Sequence, residues 1–319
     1  MLSRFFLIIV SFPPPSLGQF KKRISWEELD KGFISSQLRL CLIEELGQTN
    51  ESHQVRDVTS HACNISGEGK AMIVVRESMT VCGIKLIPLI AKAFGADDIS
   101  LHENLNDGDE AQSGQSVATL TGPQAKILLI ERTVLNFLQK LCGIATVTRR
   151  FVKLIEQHGV GLLDTRKTTP GLRSLEKYAT GCGGGYNHRM GLYDRILAKD
   201  NHLAASSLDS PTKLETFVTN LKKKQPEVLV EIEVDDLDQL DAVLQGGADA
   251  VLLDNFVPED IVKAVEMNMD RAILEASGGI NEENIALYAQ AKPHFISTGA
   301  PIHTSRWLDL GLDWVQSSN

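Results

Sequence analysis

The chain has 319 residues, of which 43% are hydrophobic and 23% are charged, as in an ordinary folded globular protein. This composition excludes a mainly disordered chain, and the length predicts roughly two domains. The net charge of −9 argues against broad nucleic-acid binding. The charge is uneven, because residues 131–203 carry 12 lysine and arginine residues against 6 acidic ones. This basic stretch favours a site for a small anion, with chance clustering on solvated helix faces as the alternative.

Residues 1–24 predict an extension ahead of the folded domains. A short apolar run over residues 5–10 follows Arg4 and precedes three prolines, as in a weak signal peptide. We prefer a disordered extension or an upstream start site as the explanation. No segment approaches the ~20 continuous apolar residues of a membrane span. The five cysteines are scattered without a CxxC pair, which favours a reducing compartment and predicts a cytoplasmic protein.

Residues 25–143 predict an N-terminal mixed α/β domain. Apolar spacing indicates helix over residues 26–46 and 86–94, and strands over residues 70–77 and 116–120. Pro123 then begins a helix that is predicted to run through residue 141. A separate second helix is predicted over residues 145–157.

Residues 144–300 show a regular alternation of strands and helices. Short β-rich runs end at Asp164, Lys199, Val234, Asp254, Ala276 and Thr298. Helical segments over residues 237–244, 259–267 and 282–291 separate the last four runs. Such alternation indicates parallel strands with crossover helices. About six strands are fewer than a complete eight-stranded barrel needs, so we predict an open, incomplete α/β barrel, with a doubly wound sheet as the alternative. Residues 301–319 are expected to pack with the N-terminal domain.

Polar or glycine residues follow every predicted strand of this second domain. Since the carboxyl ends of barrel strands meet at one mouth, we expect them to share a site, helix caps being the alternative. The candidates are Thr165, Arg166 and Lys167; Lys199; Glu231 and Glu233, which share one face of a strand; Asp254; Ser277 and Gly278; and Gly299. The last two groups read as phosphate-binding loops, although tight turns alone would also use glycine.

Six cations and two carboxylates define the expected chemistry. The cations suit a ligand with several anionic groups, and they are Arg132, Arg166, Lys167, His188, Arg189 and Lys199. Glu233 and Asp254 could hold Mg²⁺ or stabilise a cationic sugar transition state. A structural ion-pair network is the alternative for all of these groups.

The sequence motifs resemble the quinolinate phosphoribosyltransferase family. The matching runs are 131–138 (ERTVLNFL), 142–146 (CGIAT), 164–173 (DTRKTTPGLR), 183–189 (GGGYNHR), 199–202 (KDNH), 231–234 (EIEV), 252–255 (LLDN), 275–280 (EASGGI) and 297–299 (STG). The resemblance extends in order from about residue 25 to the C-terminus. Residues 179–182 depart from the family pattern before the glycines.

The resemblance implies an enzyme, a pentosyltransferase of NAD biosynthesis. Quinolinate and phosphoribosyl pyrophosphate would give nicotinate mononucleotide, pyrophosphate and CO₂, with Mg²⁺ as cofactor. It also implies a homodimer, or a higher oligomer, in which the N-terminal domain of one subunit covers the barrel mouth of the other. Neither a nucleic acid nor a membrane is an expected partner.

The resemblance further implies a role for each candidate residue. Arg132 would come from the neighbouring subunit and bind a quinolinate carboxylate, together with Arg166, His188, Arg189 and Lys199. Lys167 would contact pyrophosphate or substrate, with Thr165 beside it. Glu233 and Asp254 would contact the ribose hydroxyls and the metal, and Ser277, Gly278 and Gly299 would hold the 5′-phosphate. Lys167, Lys199, Glu233 and Asp254 are the expected catalytic residues.

Two alternatives stay open at this point. A paralogue with the same fold, such as a molybdenum-associated relative or a nicotinate phosphoribosyltransferase, would not decarboxylate. The cation set of Arg132, Arg166, His188 and Arg189 favours the dicarboxylate substrate over these. A non-catalytic protein that binds a phosphate ligand would be expected to lose Lys199, Glu233 or Asp254, and none is lost.

Overall fold

The computed structural model describes residues 16–47, 57–206 and 210–316. These residues form two compact units, each treated by itself. The antiparallel-sheet unit comprises Arg23–Lys153, Asp164–Asn187 and the described part of Gly299–Asn319. The parallel-sheet unit comprises the described part of Met1–Lys22, Leu154–Leu163 and the described part of His188–Thr298. The domain limits predicted at residues 24, 143 and 300 stay predictions.

The elements follow one another along the chain as helices α1–α11 and strands β1–β12. The helices are α1 (Lys31–Leu46), α2 (Val58–Ala62), α3 (Ile87–Ala93), α4 (Gln124–Ile155), α5 (Arg173–Cys182), α6 (Asp200–Ala205), α7 (Pro211–Lys224), α8 (Leu237–Gln245), α9 (Pro258–Asn268), α10 (Ile285–Gln290) and α11 (Ala300–His303). The strands are β1 (Glu68–Val75), β2 (Met79–Thr80), β3 (Ser100–Glu103), β4 (Glu110–Ala111), β5 (Ser116–Pro123), β6 (Gly161–Leu163), β7 (Ile196–Ala198), β8 (Val230–Val234), β9 (Ala250–Asp254), β10 (Ile273–Ser277), β11 (Phe295–Ser297) and β12 (Leu310–Trp314).

The antiparallel-sheet unit is built on a four-stranded sheet in the order β12-β1-β5-β3. Along β1, Ala71, Ile73 and Val75 alternate with their neighbours and are fully buried. This period of two places one face of the strand in the hydrophobic core. The strands predicted over residues 70–77 and 116–120 are confirmed by β1 and β5, and β12 supplies an edge strand from the end of the chain.

Helix α4 is one continuous helix of 32 residues, so the prediction of two helices meeting near residue 143 is wrong. Gly143, which lies between the two predicted helices, has a packing role. A Cβ at Gly143 would lie 2.2 Å from the backbone oxygen of Arg306, because that segment crosses the helix at this point. Glycine is therefore needed for close approach of two backbones, and the helix continues through it.

The parallel sheet has the order β6-β11-β10-β9-β8-β7, and all its pairs are parallel. Strands β7 to β11 are neighbours in chain order, and β6 pairs with β11. A doubly wound sheet would instead reverse its strand order at a switch point. Within the described residues, only a pairing of β6 with β7 is missing from a closed ring of six strands. The predicted mixed α/β fold with an open, incomplete barrel is thus confirmed.

Part of the predicted N-terminal extension is ordered. Phe20 is buried, its ring centroid lies 6.2 Å from that of Phe295 on β11, and the guanidinium of Arg195 lies 4.8 Å from the Phe20 ring centroid. Residues 16–22 therefore contribute to the core of the parallel-sheet unit, whereas residues 1–15 lie outside the described residues. Among the helices that the structure describes, none has both the length and the apolarity of a membrane span.

Candidate functional site

One face of the parallel sheet presents polar side chains at its carboxyl end. Glu233 on β8 is in register with Leu252, and two residues further along β9 Asp254 is in register with Ser277 on β10. Residues in register on parallel strands point to the same side, and so do residues two apart. Glu233, Asp254 and Ser277 therefore share one face of the sheet, as the sequence analysis expects of a common site.

Lys199 and Glu233 are brought together in an ion pair. Lys199 follows β7, and its Nζ lies 2.5 Å from Glu233 Oε2. The carboxylate is almost fully buried, while the lysine side chain is 41% exposed. The pair thus fixes a buried negative charge and leaves part of a cation open to solvent, where it can meet an anion.

Acidic residues concentrate close to Asp254. Partial burial raises the pKa of Asp235, and the charges of Asp254, Asp200 and Asp236 raise it further. Asp254 Oδ2 accepts a hydrogen bond of 2.7 Å from Asn255 Nδ2. This concentration of carboxylate oxygens is an environment that a divalent cation would stabilise.

The predicted phosphate loop after β10 is shaped by the loop after β9. Gly278 has φ 98°, and a Cβ there would lie 2.3 Å from Asn255 Oδ1 and 2.7 Å from its backbone nitrogen. The Asn255 N–H donates to the Ser277 carbonyl at 2.9 Å. Both the left-handed backbone and the close approach of Asn255 require glycine at position 278. The local conformation is therefore a sufficient reason for a glycine here.

In the antiparallel-sheet unit, the segment after Asp164 carries three predicted site residues. Thr165 Oγ1 accepts from the Lys167 N–H at 3.0 Å, and the Lys167 side chain is exposed. A Cβ at Gly299 would lie 3.3 Å from Lys167 Cβ, so glycine lets these two segments approach. Arg166 is half-buried in the same segment.

Arg132 lies on α4 with an exposed side chain. An exposed arginine on a rigid helix is free to reach a ligand or another chain without a change in the fold. Its expected place in a neighbouring subunit's site stays a prediction.

A buried ion pair that the sequence analysis missed holds the start of this segment. Asp164 and Lys177 of α5 form an ion pair in which neither side chain is more than 2% exposed. Asn187 Nδ2 also donates to Asp164 Oδ2, at 2.8 Å. Buried charges need such partners, so Asp164 ties α5 and the glycine-rich loop to the residues that precede Thr165. The position of Lys177 in its helix does not indicate that it pairs with Asp164, which lies 13 residues earlier in the chain.

His188 and Arg189 belong to a second buried cluster, in the parallel-sheet unit. His188 Nε2 lies 3.4 Å from Glu231 Oε2 and 3.5 Å from Glu275 Oε1, and Arg195 Nε lies 3.1 Å from Glu231 Oε2. Glu231 was a candidate site residue from the sequence, whereas Arg195 and Glu275 were not. Glu275 lies two residues before Ser277 on the same strand, so its side chain is on the same face of the sheet. This spacing could have identified Glu275 as a residue just inside the carboxyl end of the sheet.

The two carboxyl groups of this cluster titrate in opposite directions. Burial opposes ionisation of Glu231, but Arg195 and His188 outweigh it and lower its pKa. Burial raises the pKa of Glu275 well above its usual range, and the Glu231 charge raises it further. The site therefore favours the ionised form of Glu231 and the protonated form of Glu275, as expected for two carboxyl groups in one buried site.

Comparison with known families decides the relationship. The family model for the quinolinate phosphoribosyl transferase N-terminal domain matches residues 57–142. The model for the C-terminal domain of the same family matches residues 144–313. The chain belongs to the quinolinate phosphoribosyltransferase family. Both family domains are thus present, in the order in which the motifs predict them.

Curated relatives within the quinolinate phosphoribosyltransferase family match most of the chain. A nicotinate-nucleotide pyrophosphorylase [carboxylating] from Mycobacterium leprae is 39% identical over 81% of this chain and 90% of its own length. A probable nicotinate-nucleotide pyrophosphorylase [carboxylating] from Bacillus subtilis is 37% identical over 82% and 89%.

Solved structures agree with the family relationship. The nicotinate-nucleotide pyrophosphorylase from Francisella tularensis has a TM-score of 0.83 and 34% identity, over 92% of this chain and 100% of that chain. A human nicotinic acid phosphoribosyltransferase has a TM-score of 0.54 at 14% identity, and so shares the fold alone.

Proposed function

We propose that this member of the quinolinate phosphoribosyltransferase family transfers a phosphoribosyl group from phosphoribosyl pyrophosphate to quinolinate, with loss of CO₂. The product is nicotinate mononucleotide, a precursor in NAD biosynthesis. The observation that carries the proposal within the chain is the Lys199–Glu233 pair on the face shared with Asp254 and Ser277. The family membership and the names of the curated relatives support the same reaction.

The reaction needs charges to be placed more than it needs a nucleophile from the protein. The quinolinate nitrogen forms a bond to C1 of the ribose as the bond to pyrophosphate breaks, through an oxocarbenium-like state. Glu233 and Asp254 stabilise the positive charge that develops on the ribose. Lys199 and Lys167 neutralise the anionic groups of the two substrates.

Decarboxylation follows ribosylation in this proposal. Once the ring nitrogen is cationic, the ring can accept the electron pair of the breaking carbon–carbon bond, and a proton then replaces CO₂ at that carbon. The chain's contribution is to hold the dicarboxylate in place, with Arg132, Arg166 and Arg189 as its proposed partners. Ser277, Gly278 and Gly299 are proposed to hold the 5′-phosphate through backbone N–H groups.

Magnesium fits the carboxylate oxygens of Glu233 and Asp254, which are hard donors of the kind that Mg²⁺ prefers. The neighbouring carboxylates of Asp200, Asp235 and Asp236 support this fit, because they add negative charge close to Asp254. We propose that these two residues hold the ion, which would supply neutralisation of the pyrophosphate leaving group.

The active site is proposed to be shared in a homodimer, or in a higher oligomer built from it. Arg132 is the residue that supports this proposal, because its exposed position on α4 leaves it available to another subunit. All five cysteines are free thiols, which supports a reducing compartment such as the cytoplasm.

A direct assay tests the reaction. The pure chain is incubated with quinolinate, phosphoribosyl pyrophosphate and Mg²⁺, with nicotinate as a parallel substrate and EDTA in a third arm. We expect equal amounts of nicotinate mononucleotide and CO₂ from quinolinate, little product from nicotinate, and loss of activity with EDTA. If nicotinate reacts and quinolinate does not, the chain has the activity of a non-decarboxylating relative. If neither reacts, the chain is not the proposed enzyme.

A further inference from the structure

The segment that precedes α5 carries three predicted site residues but has no regular secondary structure. It runs from Asp164 to Thr169 and contains Thr165, Arg166 and Lys167. Side chains on such a segment keep one geometry only where neighbouring groups hold the backbone in place. The segment, α5 and the residues of α4 up to position 153 belong to the antiparallel-sheet unit.

Two adjacent residues of α5 hold opposite ends of this segment. Lys177 pairs with Asp164 at the start of the segment, and both side chains are buried. Glu176 Oε2 accepts a hydrogen bond of 2.8 Å from the Thr169 N–H at its end. Helix α5 therefore fixes the backbone on both sides of residues 165–168.

Glu176 is a fully buried carboxylate whose charge is matched by a cation on another helix. Its Oε1 lies 3.0 Å from Lys140 Nζ on α4, and the lysine side chain is 19% exposed. A buried carboxylate without a cation would destabilise the fold, so Lys140 allows Glu176 to act as an acceptor inside the protein. The acceptor is needed there because a backbone N–H that is shielded from water requires a partner.

Other hydrogen bonds shape the entry into α5 over shorter distances along the chain. Arg173 Nε donates to Thr168 Oγ1 at 3.1 Å, and the Leu172 N–H donates to the Thr169 carbonyl at 3.0 Å. These bonds set the local turn. The bond from Glu176 spans seven residues, and it joins the turn to the buried side of the helix.

An arrangement of the same chemical groups occurs in the parallel-sheet unit. Asp249 Oδ2 accepts the Val230 N–H at 2.7 Å, and Lys222 Nζ lies 2.7 Å from both oxygens of that carboxylate. Val230 begins β8, whereas Glu233 of the predicted site lies near the carboxyl end of the same strand. A buried lysine, a carboxylate and a backbone N–H are thus combined at the end of a strand that carries no predicted ligand.

We propose that Glu176 and Lys140 are positioning residues for the phosphoribosyl transfer. Glu176 holds residues 165–168 in place through the Thr169 N–H, so that the cationic side chains of the segment meet the anionic substrates in a fixed geometry. Lys140 compensates the buried charge. This inference rests on the proposed function, because the geometry of the segment matters to the reaction only if the segment binds those substrates.

The competing explanation is a simple link between α4 and α5. In that case, the ion pair contributes to stability alone, and the hydrogen bond to Thr169 has no separate effect on the reaction. Positioning instead requires an acceptor beside Thr169, whether that acceptor is charged or neutral. A neutral acceptor therefore separates the two explanations.

Two double variants provide this test, and both remove the two charges together so that neither is left buried alone. Glu176→Leu with Lys140→Met also removes the acceptor, whereas Glu176→Gln with Lys140→Met keeps an oxygen for the Thr169 N–H. We expect kcat/KM for quinolinate to fall about tenfold or more in the leucine variant and to stay within about threefold of the wild type in the glutamine variant. Equal kinetics in the two variants would overturn the proposal.

The matched control is Asp249→Leu with Lys222→Met. It removes the same groups at the amino end of β8, and we expect a lower Tm with kcat/KM for quinolinate like that of the wild type. A fall as large as that of the leucine variant would show that the kinetics follow stability, which would contradict positioning. Glu176→Met, which matches the length of the native side chain, replaces Glu176→Leu if the leucine variant does not fold.

Hydrogen exchange tests the same contact without any substrate. We expect the amides of residues 164–172 to exchange faster in the leucine variant than in the wild type or the glutamine variant, while the amides of β1 exchange equally in all three. Equal protection of the segment in the two double variants would overturn the inference. Failure of the folded wild type to use quinolinate would instead contradict the proposed function and leave the exchange result intact, so the two failures are distinct.

Discussion

At the scale of single residues, the chain keeps several charges inside and compensates each in a different way. Asp164 and Lys177 compensate one another, with Asn187 on the same carboxylate. Glu231 is compensated by Arg195, and burial with the Glu231 charge raises the pKa of Glu275, which favours its neutral form. A buried charge without such compensation costs several kcal/mol, so each partner can be tested by its removal.

Removal of Lys177 is expected to destabilise the fold strongly. In Lys177→Met, the carboxylate of Asp164 stays buried without its cation, which costs about 3–5 kcal/mol. Urea unfolding of the variant and the wild type measures the difference. The control is Lys263→Met, which removes an exposed ion pair with Asp260 and should change stability by at most ~1 kcal/mol. Equal costs in the two variants would contradict the compensation of Asp164 by Lys177.

The proton on Glu275 predicts a dependence of stability on pH. Because the pKa of Glu275 is raised in the fold, its contribution is fully present below its ordinary value of 4.5 and declines as the pH rises through the raised value. Glu275→Gln has no such titration. We therefore expect the Tm of the wild type, relative to that of the variant, to fall as the pH is raised from about 5 to 9. A difference that stays constant or grows with pH would show that Glu275 is ionised in the fold.

At the scale of elements, strand ends were predicted well and the long helix was not. The six strands of the parallel sheet end within one residue of their predicted ends, because apolar runs stop where polar mouth residues begin. Helix α4 was wrongly predicted as two helices on either side of Gly143, where a second backbone crosses one continuous helix. That crossing segment, around Arg306, lies more than 150 residues along the chain.

Two glycines in helices provide a matched pair for this explanation. Gly143→Ala is expected to destabilise the fold, since the new Cβ would lie 2.2 Å from a backbone oxygen. Gly181→Ala in α5 meets only ordinary contacts, at 3.6 Å from Arg23 Cβ, and should gain up to ~1 kcal/mol from the better helix propensity of alanine. The Tm of each variant, compared with that of the wild type, measures these changes in stability. A stabilised Gly143→Ala would show that the crossing segment can move away.

At the scale of the whole molecule, the proposed shared active site would need a second copy of the chain. Arg132 and Arg166 both belong to the antiparallel-sheet unit, and only the first is expected to serve a neighbouring subunit. In a symmetric dimer, each subunit then completes the other's site.

Mixing of inactive variants tests the shared site. Arg132→Ala and Arg166→Ala are each expected to be inactive alone. After subunit exchange in an equal mixture, half of the dimers would hold one intact site of two, which restores about 25% of wild-type activity. The control mixes Arg166→Ala with Lys167→Ala, both on the same subunit's segment, and should recover nothing. No recovery in the first mixture despite proven exchange would contradict the shared site.

The sequence by itself determined the family, the alternation of parallel strands and helices, and most of the residues placed at strand ends. These are local features, since motif spacing and apolar periodicity are written along one stretch of chain. Only the tertiary structure decided the continuity of α4, the burial of Phe20 and the buried cluster of His188, Glu231 and Arg195. Each of these depends on contact between residues far apart in the chain, and neither a local pattern nor a motif states which distant partner a buried side chain will meet.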